Sequence, residues 1–456
     1  MFSHDEQTII AQCSPKGAGA IALLRLSGIN AIQIADSIAF LNKKKLVDQP
    51  THTIHYGKVN SIDNSIIDTV LFLLMKGPNS FTGQDTIEIT CHNNPFIVEA
   101  IIQAAINAGA RLAQEGEFAK RAVLNNKIDL VQAEAINELI NANNQYTIKQ
   151  SLAQLEGSFS CYLQDLEKKL IHALALTNAS FEFIEEENIE FAQQISGLVT
   201  DIENKVAYLM QSFDQQKQIR SGIGISLIGS VNAGKSSLFN ALIGYNRAIV
   251  TEQAGTTRDI VEAGFYKNGF YWMLADTAGL RQTNDSIEKE GIRRSYEQAA
   301  QADIILLIID SARELSKDEK SIYEDIYHRY ASKIIIVHNK SDLPSKSFFL
   351  RNEGFFCSMK DKESINLLKS NIDKKIVELF NSSNSPYLLN QRHYTRLFQL
   401  KKSLEPIKEL LVQDAILYEL VAYHLNEALA LCSEILGKSV SEKAMDAVFK
   451  EFCIGK

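Results

Sequence analysis

The stretch Gly229-Ser-Val-Asn-Ala-Gly-Lys-Ser236 constrains this chain more than any other. It follows the apolar run "GISLI" and precedes "SLFNALIG", which reads as a helix. A Gly-x-x-x-x-Gly-Lys-Ser loop between strand and helix is a backbone cradle for phosphate. Its glycines let N–H groups turn inward, and the helix N-terminus adds positive potential. Lys235 would reach the terminal phosphates and the Ser236 hydroxyl a Mg2+ ion. Asn232, Ala233, Gly234 and Ser237 complete the contact set expected of the loop.

The surrounding region, residues 218–380, alternates strand and helix. "GIGISLIGS", "YWMLADTAG", "ADIILLIID" and "KIIIVHNKSD" are apolar runs that enter polar turns. Runs apolar throughout, with helices between them, predict a parallel sheet covered on both faces. The ends of those strands carry further chemistry. Asp276-Thr277-Ala278-Gly279 can hold Mg2+ through water and sense a γ-phosphate by its glycine N–H. Asn339-Lys340-Ser-Asp342 can read guanine, because a carboxylate accepts both the ring N–H and the exocyclic amine that adenine cannot offer. Ser358, in "FFCSMK", stands where a small loop would cover the base, with Met359 in place of the usual alanine. In "TEQAGTTRD" (251–259), Thr257 is the threonine expected to complete the Mg2+ shell.

Many GTPases place a water-orienting glutamine just after Asp-x-x-Gly. Here that position is Leu280, which cannot polarise water. Glu288 and Glu290 are the acids downstream that could order the water. Asn232, beside the β and γ phosphates, could bind a monovalent cation together with backbone carbonyls, the ligand type that replaces the K+ hydration shell in channels. Such a cation would offset the charge that develops during hydrolysis.

The rest of the 456 residues is of other character. Residues 1–120 mix short strands and turns and predict an α+β domain. Residues 121–217 read as helices, with Ile128, Val131, Ala135, Ile136 and Leu139 on one face and Leu163, Leu166, Leu170 and Leu174 on another. That spacing describes the packed face of a bundle. After the polar stretch 381–387 the helical pattern resumes to residue 450. The simplest architecture is an α/β domain (218–380) inserted into a helical domain whose halves are 121–217 and 381–456. A net charge of −8 argues against a constitutive, sequence-blind nucleic-acid binder. No stretch approaches the ~20 apolar residues of a membrane span. The first residues lack the pattern of a signal peptide, so a cytoplasmic location is expected. Six cysteines stand far apart with no C-x-x-C pair, which points to reduced thiols rather than a zinc site. The terminal "CIGK" does not fit a prenylation box.

"NSFTG", "RAVLNNKIDLVQAEAI" and the terminal "FCIGK", taken with the nucleotide motifs, give the chain its resemblance to the MnmE (TrmE) family of tRNA-modification GTPases, along its whole length. The resemblance implies an N-terminal folate-binding-like domain that dimerises, a helical domain, and an inserted Ras-like P-loop GTPase domain. It implies a homodimer that works with the FAD-dependent subunit MnmG (GidA) as a heterotetramer. It implies that carbon 5 of the wobble uridine of certain tRNAs receives an aminomethyl or carboxymethylaminomethyl group. The one-carbon donor would be 5-formyltetrahydrofolate or 5,10-methylenetetrahydrofolate. GTP hydrolysis would be stimulated by K+ and accompany dimerisation of the GTPase domains.

Carried onto this chain, the resemblance implies Ser236 and Thr257 for Mg2+, and Asn232 with Thr251, Gln253 and Thr256 for K+. Glu252, Ala254 and Gly255 join the nucleotide contacts, and Glu288 falls on the catalytic glutamate. Arg25, Glu88, Lys127 and Lys456 would bind the folate, the glutamate taking the pterin edge and the cations the folate carboxylates. The stretch "TCHNNP" (90–95) departs from the glycine-rich turn of the family. Cys453 would sit near the transferred carbon, as nucleophile or acid or in a packing role. Two other functions fit parts of the sequence. A ribosome-assembly GTPase would normally carry a basic RNA-binding module, and a GTP-driven helical scaffold would leave Arg25, Glu88, Lys127 and Lys456 without a shared purpose.

Overall fold

In the computed structural model, the residues described are 7–41, 44–61, 63, 65–180, 185–211, 213, 223–244, 261–267, 270–276, 296–347, 353–381, 386–413 and 415–455. The chain divides into two compact units. One comprises residues 1–137, 152–204 and 395–456, the other residues 138–151 and 205–394.

The first unit begins with strands β1 (Ile9–Gln12) and β2 (Ile21–Ser27), helix α1 (Ala31–Ile38), and strands β3 (Ala39–Phe40), β4 (Thr53–Asn60), β5 (Ile66–Met75) and β6 (Thr86–His92). Helix α2 (Pro95–Asn107) and strand β7 (Arg111–Leu112) follow. Asn94 caps α2 by accepting from the Phe96 N–H, with Pro95 at its first position, where a missing N–H costs nothing. The seven strands order as β3-β4-β5-β6-β2-β1-β7, antiparallel except for β1 against β7. Alternation along β2, β5 and β6 sends Leu24, Leu26, Phe72, Leu74, Ile87 and Ile89 to one face, under Ile32, Ile34, Val98 and Ile101 of α1 and α2. The opposite face carries Arg25, Glu88, Leu23 and Leu71.

Helices α3 (Glu117–Leu124), α4 (Leu130–Asn141), α5 (Gln145–Leu155), α6 (Ser158–Ala179) and α7 (Glu185–Gln211) continue the chain. Val131 and Ala135 of α4, and Leu163, Leu166 and Leu170 of α6, are buried, as their spacing predicts, while Ile136, Leu139 and Leu174 are only partly covered. Ile128 falls before α4 rather than within it.

The α/β unit holds β8 (Ile223–Gly229), α8 (Lys235–Ile243), β9 (Val261–Lys267), β10 (Phe270–Asp276), β11 (Ile304–Asp310), α9 (Lys317–Tyr330), β12 (Ile334–Asn339), β13 (Phe355–Cys357) and α10 (Lys362–Asn381). Its strand order is β13-β12-β11-β8-β10-β9, parallel except for β9 against β10. Every residue of β11 is buried, because both faces of this central strand are covered. Ile304, Leu306 and Ile308 face Leu238 and Leu242 of α8 and Leu368 and Ile372 of α10. Ile305, Leu307 and Ile309 share the other face with Tyr323 and Ile326 of α9. The chain leaves β8 toward β10 on one side and returns to β11 on the other. Strand ends at such a reversal form the crevice where open α/β sheets bind ligands.

Helices α11 (Gln391–Leu411), α12 (Tyr418–Leu436) and α13 (Glu442–Phe449) complete the chain. α12 packs on α6: the Cys432 thiol donates to the Leu163 carbonyl, and Lys438 pairs with Glu167 at 2.5 Å. The two helical stretches, far apart in sequence, thus share one core. Among the described residues no helix is long and apolar enough to cross a membrane.

Candidate functional site

The candidate residues fall in two groups, one in each unit. In the α/β unit, β8 ends at Gly229 and the chain turns through Ser230–Ala233 into α8. A Cβ at Gly229 would lie 2.6 Å from the Ile308 carbonyl oxygen, so only glycine lets the loop leave the sheet against β11. Gly234 has φ of +100°, and a Cβ there would collide with the Asn339 side-chain nitrogen. Asn232 is left-handed too, at φ 62°. Lys235 Nζ folds back onto the carbonyl oxygens of Gly229 at 2.7 Å and Ser230 at 2.8 Å, which keeps the loop curled around its own cation. The hydroxyl-bearing Ser236 and Ser237 are exposed in the first turn of α8.

Asn339, at the end of β12, is 2% exposed. Its Nδ2 donates to the Ala233 carbonyl oxygen at 2.7 Å, tying the loop after β12 to the loop after β8. Its Oδ1 is buried and has no hydrogen-bond partner among the described residues. An orphaned buried acceptor costs about 1–3 kcal/mol, so its position asks for a donor. Lys340 is held by Asp310 at 2.6 Å. Asp342 accepts from Ser358 Oγ at 2.9 Å and from Lys360 Nζ at 3.0 Å. The Lys360 and Ser358 hydrogen bonds hold the Asp342 carboxyl below the usual range, so it is an acceptor at neutral pH. A guanine edge would displace Lys360 from one oxygen. The cradle, the clasp and the acceptor fit a guanine nucleotide. Asp276 ends β10 level with Leu227 of β8, at the same edge as the phosphate loop.

Thr251, Glu252, Gln253, Ala254, Gly255, Thr256, Thr257, Thr277, Ala278, Gly279, Leu280, Glu288 and Glu290 lie outside the described residues, as does Lys456. Of the expected cation ligands, the described structure therefore contains Asn232 and Ser236.

In the first unit, Arg25 and Glu88 stand directly opposite each other on β2 and β6. Arg25 Nε and Nη2 both donate to Glu88 Oε1, at 2.9 and 2.8 Å. The guanidinium lies 5.4 Å from the Phe81 ring centre and 5.5 Å from that of Phe118, within cation–π range of both. Lys127 Nζ donates to the Pro78 carbonyl oxygen at 2.9 Å, which ties it to the loop that carries Phe81. Arg25 and Glu88 thus form a pair, and Lys127 stands at the adjoining loop rather than in contact with them.

The terminal segment docks in this unit. Phe452 is buried beside Phe449, with ring centres 5.0 Å apart. Ile454 forms an antiparallel bridge with Glu115. The Cys13 thiol donates to the Gly455 carbonyl oxygen at 3.0 Å. Burial pushes the Cys13 thiol up to about 11, against the pull of Arg25 and with the push of Glu88, so it stays a protonated donor. Cys453 is exposed. The departure at "TCHNNP" has its own brace: Asn93 Nδ2 donates to the Gly17 carbonyl oxygen at 2.7 Å and pins the loop between β1 and β2.

Phe81, Phe118, Cys13 and Asn93 were not legible as site residues. Phe81 lay in the quoted "NSFTG", but nothing local to it announces an arginine from a distant strand.

The chain matches the family model described as MnmE helical domain over residues 130–453, and that described as GTP-binding protein TrmE N-terminus over residues 8–127. The tRNA modification GTPase MnmE of Lachnoclostridium phytofermentans is 36% identical, over 98% of this chain and 99% of its own. That of Bacillus subtilis is 36% identical, over 98% of this chain and 100% of its own. That of Francisella tularensis subsp. holarctica is 38% identical, over 100% of both.

Proposed function

The chain belongs to the MnmE (TrmE) family of tRNA-modification GTPases, and from that premise we propose that its GTP hydrolysis is K+-stimulated and serves carbon-5 modification of the wobble uridine in certain tRNAs. That it is a GTP hydrolase acting in tRNA modification follows from the family. The observation that carries the GTP assignment is the buried Asn339 clasp between the phosphate loop and the loop that bears Asp342.

The residues divide the work. Backbone N–H groups of the Gly229–Ser236 loop and Lys235 hold the phosphates, and Asp342 with Ser358 holds the base. Ser236 and Thr257 would hold Mg2+, which supplies positive charge to the β and γ phosphates when bound. Asn232, with Thr251, Gln253 and Thr256, would hold K+, in the role that an arginine finger has elsewhere. The exposed, left-handed Asn232 on the phosphate loop supports that role. Glu288 would order the attacking water, since Leu280 cannot.

The folate reading assigns a tetrahydrofolate one-carbon donor to Arg25, Glu88, Lys127 and Lys456, with Cys453 nearby. The paired Arg25 and Glu88 over two aromatic rings, beside a docked C-terminal segment, support it. Dimerisation through residues 1–120 is supported by the sheet face opposite α1 and α2, where Ile21, Ile54, Tyr56 and Leu71 are exposed. An apolar face of that kind normally marks an interface. The proposed division is 1–120 for folate and dimerisation, 121–217 and 381–456 for the helical domain, and 218–380 for GTP hydrolysis. A flavin-dependent MnmG subunit and tRNA are the proposed partners, in the cytoplasm.

GTP turnover in KCl and in NaCl at equal ionic strength, with Asn232→Ala in parallel, tests the mechanism. The expected result is strong K+ stimulation that the variant loses. Equal rates in both salts would leave a GTPase and remove the cation mechanism.

A further inference from the structure

Beside the phosphate loop, Asp310, Arg313, Glu319 and Tyr323, which the GTP motifs do not include, form a set joined to the loop through Ser230. The Ser230 N–H donates to Tyr323 Oη at 2.7 Å. Arg313 Nη2 donates to Ser230 Oγ at 2.7 Å and to Glu319 Oε1 at 2.5 Å. Arg313 Nη1 donates to Glu319 Oε2 at 2.9 Å and to the Glu314 carbonyl oxygen at 3.1 Å. Glu319 is fixed in turn, because with Ser316 it forms the capping box that starts α9. The other edge of the guanidinium faces Asp310, with Nε 4.0 Å from Oδ2, and that same oxygen takes the Lys340 ammonium at 2.6 Å.

These contacts join three loops at the C-terminal edge of the parallel strands. Ser230 opens the phosphate loop after β8, Arg313 lies in the loop after β11, and Lys340 lies in the guanine-reading loop after β12. Arg313 is the one side chain of the set that reaches both other loops, directly to Ser230 and through Asp310 to Lys340. Its planar fork spends two donors on Glu319, which fixes the plane and aims the rest. A flexible, single-point ammonium could not make all these contacts together.

We propose that Arg313 is a positioning residue of the GTP site, which braces the first turn of the phosphate loop against the α9 N-terminus and the guanine-reading loop. Its role needs no contact with phosphate or base. Its effect passes through Ser230 to the loop N–H groups that follow, and through Asp310 to Lys340. A braced loop loses less freedom when nucleotide binds, so release is slowed. This inference rests on the assignment of the site to a guanine nucleotide.

Release of a fluorescent N-methylanthraniloyl GDP from the full-length protein tests it, with Arg313→Ala, Arg313→Lys, Ser230→Ala and the Arg313→Ala/Ser230→Ala double variant. Loss of a hydrogen bond from a charged donor predicts release faster by about tenfold in Arg313→Ala. Ser230→Ala should accelerate release as well. The double variant should be no faster than Arg313→Ala alone, because both remove one connection. Arg313→Lys, which keeps charge and much of the bulk, should restore less than half of the loss. Release unchanged in Arg313→Ala, full rescue by lysine, or additive effects in the double variant would each overturn the proposal. Should Arg313→Ala fold poorly, Ser230→Ala and Arg313→Lys still decide it. A wild-type protein that does not retain the nucleotide would overturn the guanine-nucleotide reading and the proposal with it. Retention by wild type with unchanged release in the variants would overturn the proposal alone.

Discussion

Asn232 and Lys340 both adopt left-handed backbone, at φ 62° and 61°, one in each loop of the GTP site. Such a conformation costs a non-glycine residue roughly 1–2 kcal/mol, and it persists where surroundings overdetermine it. For Lys340 the determinant is visible in its 2.6 Å pair with the buried Asp310. The same scale shows why Glu319 is a firm anchor. The Arg313 hydrogen bonds outweigh its burial and, with the Ser316 N–H, bring its carboxyl down to about 2. Its folded value lies below the ordinary ~4.3 of a glutamate. The stability it contributes is therefore present above about pH 4 and is lost as pH falls toward about 2. The carboxyl carbon shift of Glu319, followed by NMR in acid, should titrate with a midpoint near 2. A midpoint at the ordinary ~4.3 would mean that the fork does not form in solution. Gly229, Lys235, Ser236, Asn339 and Asp342 could be named as candidates from the sequence because each stands within a short motif. Arg313 could not, because its partner on the phosphate loop, Ser230, lies 83 residues before it and only a fold can bring the two together.

At the scale of elements, the folate candidates depend on the register between β2 and β6. Arg25 and Glu88 meet because they are directly paired across that ladder. A slip of either strand by one residue would send its member of the pair to the covered face. The C-terminal segment is the second element on which the proposed folate site depends. Gly455 has φ of +95°, and a Cβ there would come within 2.9 Å of the Cys13 Cα, so the segment docks only with glycine at that place. Gly455→Ala should undock it. The expected outcome is tetrahydrofolate binding weakened by about tenfold, measured by fluorescence titration, with GTP turnover as in wild type. Unchanged folate binding would remove the segment from the site. The alternation that defines β2 and β6 was readable in "AIALLRLSG" and "DTIEITCH". Their adjacency was not, since three strands, β3, β4 and β5, lie between them in the chain.

For the whole molecule, the two units have separate cores. The parallel sheet of the α/β unit carries one apolar cluster on each face, and the first unit has its own beneath α1 and α2. A ligand that binds one unit stabilises it by mass action, about 2.7 kcal/mol at a hundred times Kd. Calorimetry should therefore show two transitions, with GDP and Mg2+ raising one and leaving the other in place. A single transition that moves as a whole would mean that the units unfold as one.

Local chemistry and periodicity by themselves determined the glycine-rich loop between strand and helix, the candidate pair Asn339 and Asp342, the parallel strands and much of the helical faces. Each is written within a few turns or strands of chain, where spacing dictates which side chains share a face or a loop. The tertiary structure alone decided the rest: which strand stands opposite Arg25, where the C-terminal segment docks, and what braces the phosphate loop. Those contacts join residues up to 442 positions apart. No local preference encodes such a meeting, because it is the packing of whole elements around their cores that brings the two residues together.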